Sequence, residues 1–219
     1  MTSGLIIVAA GSASRMGGID KVWADLGGMP LLQWSIDRLG PFTDAIVVVV
    51  RADDLVTARE RLRLLPQLRI VPGGAERSDS VRAGLAALLA SDVIAVHDAA
   101  RPFAHHELLL QGTGCLATAA GAVPGEPVRD TIKEVGSADR VVRTVDRNRF
   151  RAIQTPQVFR ADILRAAHAG SGQASDDSAL VEQLGATVAC FPGHAENFKI
   201  TTPFDLTVAR LLVQNNLIS

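Results

Sequence analysis

The sequence predicts an α/β protein with a mostly parallel, twisted sheet, helices on both faces and a protruding β-arm. Two observations carry the sheet. Short runs rich in Val and Ile alternate along the first half with stretches whose apolar residues fall at helical spacing. The runs lack polar alternation, as strands buried on both faces do. Strand, helix, strand, helix in that order implies right-handed crossovers and parallel pairing. Length and composition agree. The 219 residues are 47% hydrophobic and 21% charged, which suits one domain with a full core over residues 1–219 and excludes disorder.

Taken in order, Leu5–Ala10, Ala45–Val50, Leu68–Val71 and Val93–His97 read as buried strands. Between them, Leu31–Leu39, Asp54–Leu65 and Ser78–Ala90 read as helices, with Asp53 or Asp54 capping the second and Ser78 the third. A helix over His105–Cys115 precedes a strand over Ala117–Val123, and Pro124, Gly125 and Pro127 are expected to break the pattern. Val128–Val145 alternates charged and β-branched residues around Gly136-Ser137, the mark of a polar hairpin leaving the body. This puts an arm at about 127–150. Ala152–Gln154 rejoins the sheet. Arg160–Ala169 and Asp176–Leu184 read as helices, Thr187–Phe191 and Phe198–Ile200 as short strands, and Pro203–Val213 as a closing helix with Pro at its start.

A formal charge of −1 provides no global field to recruit nucleic acid, so any anion site has to be built locally. No apolar run approaches the ~20 residues that span a bilayer, and Leu5–Ala10 is too short for a signal-peptide core. The expectation is a cytoplasmic protein with neither nucleic acid nor membrane as partner. Cys115 and Cys190 lack metal spacing and read as free, buried thiols. Among 22 basic residues only Lys21, Lys133 and Lys199 are lysines, a weak sign that a compact ammonium matters where one is kept.

Ala9-Ala10-Gly11-Ser12-Ala13-Ser14-Arg15-Met16-Gly17-Gly18 directly follows the first strand. Small residues there let backbone N–H groups approach phosphates, and Arg15 and Lys21 suit a triphosphate. Neither the dinucleotide fingerprint nor the Walker loop fits, and an ordinary small-residue turn remains the alternative. His97-Asp98-Ala99-Ala100-Arg101 closes a buried strand, which puts Asp98 at its carboxyl edge. There it would hold a sugar hydroxyl or Mg²⁺, with Arg101 holding a phosphate or orienting Asp98; a structural Asp–Arg pair is the alternative. His97 reads as a core histidine. Gly73-Gly74-Ala75-Glu76-Arg77-Ser78-Asp79-Ser80 opens a helix and suits either a base or ribose contact or a plain capped start.

These landmarks, with Pro127-Val128-Arg129-Asp130-Thr131, Thr144-Val145-Asp146-Arg147, Thr155-Pro156-Gln157, Asp176 with Ser178, and Asn197 with Lys199, occur in the order that marks one family. The chain resembles the 2-C-methyl-D-erythritol 4-phosphate cytidylyltransferases over nearly its whole length. The resemblance implies a Rossmann-like nucleotidyltransferase fold and transfer of CMP from CTP to 2-C-methyl-D-erythritol 4-phosphate, releasing pyrophosphate, in the non-mevalonate route to isoprenoid precursors. It implies catalytic roles for Arg15, Lys21, Arg147 and Lys199. Ala9, Ala10, Gly11, Gly74, Ala75, Ser80 and Ala99 match nucleotide contacts, and Asp98, Arg101, Thr131 and Thr155 substrate contacts. It further implies Mg²⁺ bound with CTP, with no ligand set assigned, and a homodimer whose arm carries Arg147 into the partner's site. Departures are Val22-Trp23 after Lys21, Asp177 where Glu is usual, and Glu196 where Asp is usual.

The chemistry is consistent with these residues. A phosphate monoester is largely ionised at neutral pH, so the nucleophile needs no general base. What it needs is charge neutralisation and in-line positioning. A ribitol-5-phosphate cytidylyltransferase and a non-catalytic nucleotide-binding protein of the same fold are the competing readings.

Overall fold

A computed structural model describes residues 1–11, 21–88, 90–170 and 174–218. Arg15 lies outside the described residues, and Lys21 is described through its backbone alone. The strands are β1 (Ser3–Val8), β2 (Asp25–Leu26), β3 (Met29–Pro30), β4 (Ala45–Val50), β5 (Leu68–Pro72), β6 (Val93–Asp98), β7 (Gly121–Pro127), β8 (Lys133–Val135), β9 (Val141–Thr144), β10 (Arg151–Ile153), β11 (Gln157–Arg160) and β12 (Val188–Pro192). The helices are α1 (Leu31–Leu39), α2 (Leu55–Arg61), α3 (Arg77–Ala87), α4 (Glu107–Cys115), α5 (Ala161–Ala167), α6 (Asp177–Gln183) and α7 (Pro203–Gln214).

Eight strands form the main sheet in the order β10-β7-β11-β6-β1-β4-β5, with β12 also on β7. β6, β1, β4 and β5 run parallel, while β11 enters antiparallel between β6 and β7. The chain builds outward from β1 through β4 to β5, then crosses to the other side of β1 for β6. That reversal leaves a crevice at the carboxyl ends of β1 and β6, where ligands of open α/β sheets sit.

Alternation along the strands sorts the core. Leu5, Ile7, Ile46, Val48 and Val50 face Leu32, Ile36 and Leu39 of α1, Ala58 of α2 and Leu109 of α4. Ile6, Val47 and Val49 face the other way, against Val81 and Leu85 of α3, Leu164 of α5 and Val181 of α6. Each Val, Leu or Ile among them, when fully buried, contributes about 1.5–3 kcal/mol. A third cluster joins α7, through Leu206 and Ala209, to Leu26, Leu31, Phe103 and Ile200.

Several expectations are corrected. α2 starts at Leu55 after a 3₁₀ turn, and Asp54 ion-pairs with Arg51 at 2.7 Å instead of capping the helix. α3 begins one residue before Ser78, and the Asp79 carboxylate accepts the Glu76 N–H at 3.1 Å. The proline-bearing stretch does not break: β7 runs through Pro124 to Pro127. Proline is tolerated because the ladder is interrupted there, and the Pro124 carbonyl accepts from Gln154 N–H at 2.8 Å. Phe198–Ile200 forms no strand, since its one backbone bond of this kind runs from Ile200 N–H to the Ala100 carbonyl. Both cysteines are free, but Cys190 is exposed and Cys115 only half-buried. The arm forms as expected: β8 and β9 pair as a separate antiparallel hairpin. No helix among the described residues is long and apolar enough to cross a membrane.

Candidate active site

Three loops meet over the crevice, each pinned to a neighbouring strand. Ala9 N–H donates to the Val49 carbonyl at 2.7 Å, Gly73 N–H to Val50 at 2.8 Å and Ala99 N–H to Val8 at 3.0 Å. The loops are held close together. A Cβ on Gly73 would stand 2.6 Å from both the Ala10 Cβ and the Ser80 Oγ, so only glycine lets the β5–α3 loop rest against the β1 loop.

Between them lies a cavity of about 380 Å³ lined by Ala9, Ala10, Gly11, Gly74, Ala75, Glu76, Arg77, Ser80, Asp98 and Lys199, among others. The structure thus brings together six of the seven expected nucleotide contacts with Asp98 and Lys199. The seventh, Ala99, is fully buried beside the cavity and contributes its backbone to the sheet edge.

Asp98 is the electrostatic centre. Arg77 Nε donates to its Oδ1 at 3.1 Å and Lys199 Nζ to its Oδ2 at 2.6 Å. Burial pushes the Asp98 carboxyl up, but Arg77 and Lys199 more than offset this and hold it well below the usual carboxylate range. Burial likewise opposes the Arg77 charge; Asp177 and Asp98 override it, and the guanidinium ends more basic than usual.

Beneath Asp98, the neighbouring side chains are used structurally. His97 Nε2 lies 3.1 Å from the Arg101 carbonyl, which can only accept, so Nε2 carries the proton. Nδ1 then accepts from the Thr155 hydroxyl at 3.1 Å, and that same hydroxyl accepts from Asp98 N–H at 3.0 Å. Burial lowers the His97 pKa to about 4, so the ring is neutral. Arg101 directs its guanidinium to the carbonyls of Asn197 (2.7 Å) and Ile153 (3.2 Å), which fixes the segment leading to Lys199. Asn197, fully buried, donates to the Thr155 carbonyl at 2.9 Å. Arg101 and Thr155, both expected at the substrate, make these structural bonds and do not line this cavity.

The arm residues Thr131 and Arg147 are exposed and do not line this cavity; Arg147 donates to the Arg129 carbonyl within the arm. Like Glu76 and Ala100, Arg77 lines the cavity although the sequence assigns it no contact. Its adjacency to Gly73-Gly74 was the available signal, but its two carboxylate partners are visible only in three dimensions.

The model of the family described as IspD: 2-C-methyl-D-erythritol 4-phosphate cytidylyltransferase matches residues 4–215. The chain belongs to this family. It is 43% identical over 212 residues to the cytidylyltransferase of that name from Nocardia farcinica, covering 95% of this chain and 92% of that one. It is 39% identical over 217 residues to the one from Dehalococcoides mccartyi, covering 96% of each. Among solved structures, the 2-C-methyl-D-erythritol 4-phosphate cytidylyltransferase of Thermus thermophilus is similar, with TM-score 0.80 and 33% identity over 98% of this chain and 100% of that one. Membership in the cytidylyltransferase family fits the geometry, because the loops that converge here are the segments that carried the resemblance.

Proposed function

We propose that this protein transfers CMP from CTP to 2-C-methyl-D-erythritol 4-phosphate and releases pyrophosphate. The observation that carries the reading is the cavity at the β1–β6 switch point. Small residues provide a close backbone surface on one side, and an ordered Arg77–Asp98–Lys199 line provides the charge on the other. Ala9, Ala10, Gly11, Gly74, Ala75 and Ser80 form the nucleotide side. Lys199 faces the attacking phosphate, which is already ionised, so no base is required. Attack is direct and in line at the α-phosphorus, and pyrophosphate departs.

Among the described residues the cavity's charges balance: Arg77 and Lys199 against Asp98 and Glu76. We assign the positive surplus that the reaction needs to Arg15 and Lys21, and to Arg147 from a second copy. The exposed Val135, Val141, Val142 and Phe150 on and beside the arm support a homodimer, since they leave apolar surface for a partner to cover. No group of three or more His, Cys, Asp or Glu side chains among the described residues is placed to hold a metal. With both Asp98 oxygens engaged by Arg77 and Lys199, the Mg²⁺ expected with CTP would be held chiefly by the nucleotide's phosphate oxygens. When bound, that ion would supply further charge neutralisation at the phosphates.

Pyrophosphate release from CTP and methylerythritol phosphate, measured beside ribitol 5-phosphate, tests this. Turnover with methylerythritol phosphate is expected, and Lys199→Ala is expected to lower kcat/KM about 10²-fold or more. Turnover confined to ribitol 5-phosphate, or none with either, would overturn the reading.

A further inference from the structure

Asp177 lies outside the cavity, at the first turn of α6, with its side chain 1% exposed. Its Oδ2 ion-pairs with Arg77 Nη1 at 2.8 Å, and its Oδ1 accepts from His168 Nε2 at 3.0 Å. Charges thus alternate along a single line: Asp177, Arg77, Asp98, Lys199. The line starts in the interior and ends at an ammonium on the cavity wall.

The structure around Asp177 holds it firmly. Asp176 caps α6 by accepting from Ala179 N–H at 3.0 Å, and it also accepts from Gln157 Nε2 at 2.7 Å. Gln157 in turn accepts from Ser178 N–H at 3.2 Å. β11 and the start of α6 are therefore clamped on either side of Asp177. Stability alone explains this arrangement poorly. A buried ion pair usually gains little over well-packed apolar side chains, because desolvation offsets its attraction. What such a pair does supply is geometry. A guanidinium ion-paired at Nη1 with one carboxylate and hydrogen-bonded at Nε to another is restricted in how far it can turn.

We propose that Asp177 is a positioning residue for the transfer reaction: by anchoring Arg77 it fixes Asp98, and through Asp98 it fixes the Lys199 ammonium for the sugar phosphate. This rests on the functional reading above and identifies which substrate the line serves. Arg77 is held from behind, so the loss of Asp177 moves Asp98 and Lys199 while the backbone surface of Ala9–Gly11 stays in place.

The test is steady-state pyrophosphate release with each substrate varied in turn, on wild type, Asp177→Asn and Arg77→Lys, each checked for folding by circular dichroism. Wild type that releases no pyrophosphate overturns the functional reading itself, before either variant is compared. With active wild type, Asp177→Asn is expected to lower kcat/KM for methylerythritol phosphate about 30-fold, largely through its KM, and to shift the KM for CTP less than about threefold. A merely structural role would reduce the active fraction, so that kcat falls and both KM values stay. That result, or unchanged kinetics, overturns the proposal. Should Asp177→Asn not fold, Arg77→Lys decides alone. It keeps the charge but cannot bridge two carboxylates with a planar fork, and in it the same KM split supports the proposal while unchanged KM values overturn it.

Discussion

His97 is wholly buried, with both ring nitrogens engaged, and it is held neutral with a pKa lowered to about 4. In the unfolded chain a histidine titrates near 6.5. Because the folded pKa is the lower one, the unfolded state binds the proton first as pH falls. The stability that neutral His97 contributes is therefore complete above about pH 6.5 and is lost toward pH 4, amounting to about 3 kcal/mol. Asp98 acts in the same direction further down: its pKa is depressed, so its contribution holds above the ordinary carboxylate range and fades only in stronger acid. Urea unfolding at stepped pH is expected to show a decline between pH 6.5 and 4 in wild type. In His97→Gln, less stable from the outset, that part of the decline should be missing. An equal slope in both proteins would place the acid sensitivity elsewhere.

At the scale of the elements, the approach of α3 to the sheet sets the position of Arg77. Gly84 sits on the buried face of this helix, and a Cβ there would come 2.6 Å from Ile6 Cγ2. Alanine ordinarily favours a helix over glycine by about 1 kcal/mol. Here the clash with a fully buried isoleucine on β1 outweighs that preference, because overpacking costs about 1–3 kcal/mol. Gly84→Ala is expected to be net destabilising by about 1 kcal/mol in chemical denaturation. A stabilised variant would mean that β1 and α3 yield easily, and that the glycine loops above them are less fixed than their hydrogen bonds indicate.

For the whole molecule, the relation between the arm and the cavity bears on the proposed homodimer. Arg147 and Thr131 do not line the cavity of their own chain, whereas Lys199 does. A shared site then requires two chains, one supplying the cavity and the other the arm. Mixing Arg147→Ala subunits with Lys21→Ala subunits should restore part of the activity, as one site in each heterodimer keeps both groups. No recovery after verified subunit exchange would assign Arg147 to its own chain's site or to none.

Much of this was legible in the sequence because local order needs only near neighbours. Val and Ile runs, helical spacing and the Gly73-Gly74 turn identify the parallel strands, the helices between them and the small-residue loops over the crevice. The polar alternation of 128–145 identifies the arm. The misplaced parts are those where distant groups override local preference. Pro124 stays in a strand because a neighbouring segment uses its carbonyl, and Asp54 gives up a cap for Arg51. The tertiary structure alone decided which charges meet. Lys199 reaches Asp98 across 101 positions of sequence. Arg77 reaches both Asp98 and the buried Asp177, while Arg101 is engaged by the Asn197 and Ile153 carbonyls and Thr155 by His97 and the Asp98 N–H. Spacing along a chain carries no record of such pairings, because they depend on where the sheet reverses and which helix ends come to rest beside it.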